Sequence, residues 1–189
     1  MTIPRFNRAV VIGCSGAGKS TFARRLGAIT GIPVVHIDQL YWQAGWNEVP
    51  ATEYKRRMKV AIAADRWIIE GVNVSTLGQR LARADAMFWL THGRVTCISR
   101  VLWRVATTYG RVRPDMAPGC PERFDAEFLR FVWGFHAKYP PLIEGIIAQY
   151  GFEGRTVRMG SDRETHSILQ RLALHCSHAD LHDSPPRGP

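Results

Sequence analysis

Short apolar runs alternate along the chain with longer stretches in which apolar residues recur every three or four positions. That rhythm predicts strands buried on both faces, separated by amphipathic helices. Residues 9–12, 34–37, 67–69, 86–90 and 156–159 read as five strands. Between them, helical periodicity covers 19–27, 50–65, 76–82 and 94–109. On the helix at 50–65, Tyr54, Met58, Ala61 and Ile62 take the inner face, and Lys55, Arg56, Arg57 and Lys59 point outward. On the helix at 94–109, Ile98, Val101, Leu102 and Val105 are expected to face the core.

A further helix is expected to open at Pro121, with Phe124, Phe128, Phe131 and Phe135 as its buried stripe. Pro140-Pro141 should break it, leaving a separate short helix over 142–150 that Gly151 closes. Ser161 to Glu164 fits a capping box for a last helix ending near Leu174. The expectation is an α/β fold: a three-layer α/β/α sandwich about a five-stranded parallel sheet, in a single domain over 1–175. Residues 176–189 read as a disordered tail. His175, Cys176, His178 and His182 fall at or within this tail, without a scaffold to hold a metal.

The connection after the first strand carries the chemistry. Gly13, Cys14, Ser15, Gly16, Ala17, Gly18, Lys19 and Ser20 fit the phosphate-binding pattern G-x-x-x-x-G-K-[ST] without mismatch, with Thr21 following. Glycines let backbone N–H groups wrap an anion closely, and the helix that follows aims its unsatisfied N–H groups at it. Lys19 is expected to reach the β- and γ-phosphates of ATP, Ser20 to ligate Mg²⁺, and Thr21 to add an α-phosphate contact. Cys14 is either a small filler or an oxidation-sensitive thiol near a helix N-terminus.

Acids follow two other strands. Asp38 comes after the second, at the strand end where open parallel sheets bind ligands. Glu70 closes the third and is placed to hold Mg²⁺ directly or through water. Between them, Tyr41, Trp42 and Trp46 form an aromatic segment that either lids the core or lines a slot for a flat acceptor. Arg100 and Arg104 lie one helical turn apart, which suggests an anion between them and places Arg104 among the nucleotide contacts. A glycine- and proline-rich loop then carries Arg111 and Arg113.

Composition narrows the picture modestly. Of the 189 residues, 46% are hydrophobic and 22% charged, as in an ordinary folded domain. The net charge of +9 rests on 21 Arg and 4 Lys and suits phosphate-rich partners, whether nucleotide or nucleic acid. No dedicated nucleic-acid module accompanies it. The four cysteines (Cys14, Cys97, Cys120 and Cys176) lack paired spacing and are expected as reduced thiols. With no secretory signal and no apolar run near the ~18 residues of a membrane span, the expected setting is cytoplasmic and no membrane partner is foreseen. A monomer or a homodimer is expected.

The motifs GCSGAGKST, HIDQLYWQAGW, RWIIEG, RADAMFWL and RVRPDMAPGCPERFDAEFLRFVW span nearly all of residues 6–160. In these the chain resembles the adenylate-kinase-like P-loop NTPases known as DNA topology modulation (FlaR-like) proteins. The resemblance implies a nucleoside-monophosphate-kinase-like sheet of order 2-3-1-4-5, with ATP and Mg²⁺ as cofactors. It also implies γ-phosphoryl transfer to a nucleotide or other small-molecule acceptor, or an ATP-regulated nucleic-acid role without turnover. A small lid at about 104–120 would close Arg111 and Arg113 over the phosphates, and Asp38 would orient an acceptor hydroxyl or assist Mg²⁺. Catalytic roles are thus expected for Lys19, Asp38, Arg111 and Arg113. The chain departs from that family after the third strand: Glu70-Gly71-Val72-Asn73 replaces the usual Asp-Gly-Asn-Tyr, and the arginine soon after it is missing.

Overall fold

The computed structural model describes residues 4–182, with side chains described as far as 175. The sheet strands are β1 (Arg8–Gly13), β2 (Val34–His36), β5 (Trp67–Glu70), β6 (Ala86–Leu90) and β7 (Thr156–Met159). Two shorter strands, β3 (Trp42–Gln43) and β4 (Asn47–Glu48), form an antiparallel hairpin of their own. The main sheet is parallel throughout and runs β2-β5-β1-β6-β7, which is 2-3-1-4-5 once the hairpin strands are left out of the count.

Every residue of β5 and β6 is buried, as are all those of β1 after Arg8. That continuous burial is what helices on both faces of a parallel sheet produce. The helices are α1 (Lys19–Thr30), α2 (Ile37–Tyr41), α3 (Ala51–Ala63), α4 (Leu77–Leu81), α5 (Arg94–Thr108), α6 (Ala126–Gln149) and α7 (Asp162–His182). Phe22 and Leu26 of α1, one turn apart, are buried in the core, and Phe22 meets Phe88 of β6 at 5.3 Å between ring centroids.

Several boundaries differ from the sequence reading. Helix α1 runs on to Thr30, where Gly31 in the left-handed region caps it and donates to the Gly27 carbonyl. Leu102 of α5 is largely exposed, and Cys97 takes its place in the core with Val101. No helix begins at Pro121: α6 starts at Ala126, after Asp125 caps it by accepting from the Phe128 N–H. Phe124 therefore lies before the helix and is exposed, Phe128 and Phe131 are only partly buried, and Phe135 alone of the four is buried.

Pro140 and Pro141 do not break the chain into two helices; both lie inside α6. Each removes an N–H and disfavours the turn before it. Buried Val132 and Phe135 before them and buried Ile143 and Ile147 after them hold one continuous helix against the core. Packing here outweighs propensity. Helix α7 is also longer than expected: 176–182 continue it in place of a disordered tail, and 183–189 lie outside the described residues. The side chains of Cys176, His178 and His182 likewise fall outside them. Its cap is a variant of the expected box: Ser161 Oγ accepts from the Glu164 N–H, but Glu164 reaches back to the Gly160 N–H.

Candidate functional site

A cleft of about 940 Å³ opens where the C-terminal ends of β1, β2 and β5 meet the α5–α6 connection. The phosphate loop forms its floor. Gly18 caps α1 in the left-handed region with no side-chain cap, and no acid occupies the first turn, so the N–H groups there remain directed at the cleft. Gly16, also at positive φ, packs so closely on the start of α5 that a Cβ would collide with the Cys97 carbonyl. Lys19 Nζ donates to the Cys14 carbonyl at 3.2 Å, which holds the ammonium across the loop. Ser15, Gly16, Gly18, Lys19, Ser20 and Thr21 all line the cleft. Gly13, Cys14 and Ala17 shape the loop from behind, and the latter two are buried.

Ser20 and Glu70 come together as the sequence suggested. The Ser20 hydroxyl donates to Glu70 Oε1 at 3.0 Å, and Glu70 is only 3% exposed. His36 Nδ1 lies 2.7 Å from the same oxygen. Paired hard oxygen donors at the mouth of a phosphate loop suit Mg²⁺. Asp38 stands nearby on α2. Burial lifts its carboxyl above the ordinary value and the Glu70 charge adds to this, against the pull of Lys19 and Arg113. The backbone of β5 turns sharply here: Gly71 is at positive φ and leaves no room for a Cβ against the Ile37 side chain.

The expected arginines divide. Arg113 pairs with Asp115 at 2.7 Å and with Glu122 at 2.8 Å, and Arg104 donates to Glu122 at 3.0 Å. Both face the cleft. Arg111 does not: it is exposed and is not among the residues that line the cleft. Arg100 and Arg104 have separate carboxylate partners, Asp162 and Glu122, and both line the cleft. Burial, with Arg113 close by, holds Arg104 below its ordinary pKa despite Glu122.

Three site residues escaped the sequence reading. Asp115 is buried and faces Ser20 from the α5–α6 connection. Burial alone would raise its carboxyl, but Arg113 and the Ser20 hydroxyl bring it below the ordinary value. His36, taken only as a strand residue, orients Glu70. Arg80 has no exposed surface at all, and burial lowers its pKa to about 10. Its guanidinium donates to the Gly71 carbonyl at 3.1 Å and the Asn73 carbonyl at 2.6 Å, which pins the segment after β5. Arg80 is thus spent on backbone carbonyls.

The aromatic segment both borders the cleft and packs on the α5–α6 connection. Tyr41, Trp42 and Trp46 line the cleft, and Trp42 and Trp46 also pack on Met116, Ala117 and Cys120 of the α5–α6 connection. Trp46 Nε1 donates to the Pro121 carbonyl, Gln39 Nε2 to the Pro114 carbonyl and the Gly45 N–H to the Gly119 carbonyl. Trp46 is the one described non-glycine residue at positive φ, so the hairpin tip is strained into this contact.

Comparison with solved structures places this geometry. Shikimate kinase from Acinetobacter baumannii, solved with shikimate, superposes with a TM-score of 0.55 at 14% identity, covering 94% of this chain and 95% of that one. The fold is that of a small P-loop kinase. Shikimate kinase from Bacteroides thetaiotaomicron gives a TM-score of 0.50 at 13% identity, over 92% of this chain and 99% of that one. No protein-family model and no curated protein matches the chain, so its likeness to the topology-modulation family rests on the sequence motifs alone. Among the described residues, no helix is long and apolar enough to cross a membrane.

Proposed function

We propose that this P-loop protein is an ATP-dependent kinase that transfers the γ-phosphoryl group to a hydroxyl of a small-molecule acceptor in the cytoplasm. The observation that carries this is the meeting of Lys19, the Ser20–Glu70 pair and Asp38 in one cleft, faced by Arg104 and Arg113. The loop N–H groups and Lys19 hold the phosphates. Ser20 and Glu70 would hold Mg²⁺, which supplies charge neutralisation at the β- and γ-phosphates. Asp38 accepts the acceptor's hydroxyl proton as its oxygen bonds to the γ-phosphorus and the bond from that phosphorus to the β-phosphate oxygen breaks. The elevated proton affinity of Asp38 suits a general base.

The segment from Arg104 to Cys120 acts as the lid. Phosphoryl transfer depends on alignment and electrostatic stabilisation, which Arg113 and Arg104 provide once phosphate oxygens replace Glu122 and Asp115 as their partners. The acceptor sits beside Asp38 against the aromatic wall of Tyr41 and Trp42, and Arg80 shapes that subsite without touching it.

The rival reading, an ATP-regulated nucleic-acid partner, has the basic cluster on α3 as its support. Glu53 pairs with both Arg56 and Arg57, which offsets one positive charge of the basic cluster on α3. The test is ADP formation with Mg²⁺ across nucleoside monophosphates, nucleosides and hydroxylated metabolites, with Lys19→Ala as control. Acceptor-dependent turnover that the control abolishes is expected. ATP binding with no stimulation by any acceptor, together with salt-sensitive DNA binding, would move the assignment to the rival.

A further inference from the structure

Beneath the phosphate loop, on the side away from the cleft, Cys14, Cys97 and His136 converge from β1's end, α5 and α6. One ligating atom from each lies within 4.8 Å of the other two. Both cysteines are buried and free. The kinase chemistry uses none of the three side chains.

The imidazole is arranged in a particular way. His136 Nε2 lies 2.8 Å from the His92 carbonyl, and a carbonyl can only accept, so Nε2 carries the proton. That leaves Nδ1 as the lone-pair nitrogen, and Nδ1 is buried with no hydrogen-bond partner. A histidine that donates one ring N–H to a backbone carbonyl and keeps the other nitrogen free has the form of a metal ligand fixed by its outer shell. Each sulfur has a weak carbonyl partner, Val132 at 3.7 Å for Cys14 and His92 at 3.6 Å for Cys97, and the two thiols also hydrogen-bond each other. Ligands on a zinc-sized ion stand about 3.5–4 Å apart, given bond lengths of about 2.0–2.3 Å. Closing the cluster from its present spread requires only small side-chain shifts.

We propose that Cys14, Cys97 and His136 bind a thiophilic cation of the zinc or monovalent copper class. Two sulfurs and one imidazole are soft donors, unlike the oxygens that Mg²⁺ takes at Ser20 and Glu70. Binding releases the two thiol protons. The ion ties the second residue of the phosphate loop to α5 and α6, so its occupancy stiffens the loop from below. The site stands independently of the kinase reading; only its effect on ATP depends on that reading.

The test uses the full chain, reduced and stripped with a chelator, titrated with Co²⁺ alone and then with Zn²⁺ or Cu⁺ in competition. Expected is one equivalent per chain, with sulfur-to-cobalt charge-transfer absorption in the near ultraviolet, discharged by the preferred ion. Zn²⁺ and Cu⁺ are separated by which displaces cobalt at lower concentration. Cys97→Ser should abolish the band and His136→Gln should weaken binding by more than about tenfold, while Cys120→Ser keeps both. Circular dichroism on each variant shows that it has folded. Absence of the band, a band that survives in folded Cys97→Ser and His136→Gln, or a Cys14–Cys97 disulfide that forms in place of metal uptake would each overturn the proposal.

Discussion

Asp38 is partly covered at the wall of the cleft, where its surroundings work against its own charge. Its carboxyl is shifted upward by desolvation and by Glu70, so the ionised base is lost as pH falls through a value above the ordinary aspartate range. The acid limb of kcat/KM should therefore lie above about pH 4, the usual carboxylate value. Asp38→Asn should remove turnover while leaving ATP binding intact. Linkage gives a second readout. A raised folded-state pKa means the folded protein binds the extra proton, so ionised Asp38 costs stability at neutral pH. Asp38→Asn should then melt higher than the parent at pH 7, with the gain shrinking below the ordinary aspartate value where both forms are neutral. A melting curve unchanged at pH 7 would show that Asp38 is well solvated. Such residues were legible where their chemistry is local. The phosphate loop and Glu70 each follow from a strand end and a short pattern. Asp115, His36 and Arg80 were not legible, because what they face is set by segments far away in sequence. Arg111 lies outside the cleft lining, and position in a loop does not by itself say which side chains reach the site.

At the scale of elements, the five strands were readable because a strand buried on both faces is a bare apolar run. The hairpin β3–β4 was hidden by its brevity, since two-residue strands show no period. Helix α6 was misread for a reason that can be tested. Its prolines oppose a helix that buried side chains on either side impose. Pro141 is exposed. Pro141→Ala restores an N–H for the Ala137 carbonyl and should stabilise the protein by about 1–3 kcal/mol in urea unfolding. A neutral or negative change would mean that the proline's restriction of the unfolded chain outweighs the missing bond. Arg80 presents an element-scale case of the opposite kind. Arg80→Met takes the Arg80 donor from the buried Gly71 carbonyl and the shorter of two donors from the Asn73 carbonyl, which keeps the Thr76 hydroxyl at 3.3 Å. It should raise the KM for the acceptor far more than that for ATP, because the released segment borders Asp38 and not the phosphate loop.

Over the whole molecule, the α5–α6 connection bridges the two sides of the cleft through contacts that do not involve nucleotide. It packs on the hairpin through Trp42 and Trp46, and Glu122 neutralises both Arg104 and Arg113. Glu122 is buried, so its carboxylate stands where a phosphate would otherwise be the nearest anion. Glu122→Gln takes away that charge and leaves two half-buried guanidinium groups facing each other. Removing one partner of a buried ion pair is strongly destabilising, by about 3–5 kcal/mol in the general case. The variant should therefore melt lower than the parent in the absence of nucleotide. ATP with Mg²⁺ should then raise its melting temperature by more than it raises the parent's, because bound phosphate supplies the counter-charge that glutamine lacks. Arg111→Gln, exposed and outside the cleft, should leave both melting temperatures and the ATP shift unchanged. An equal ATP shift in Glu122→Gln and the parent would show that Arg104 and Arg113 never exchange carboxylate for phosphate, and the connection would then be a fixed wall and not a lid.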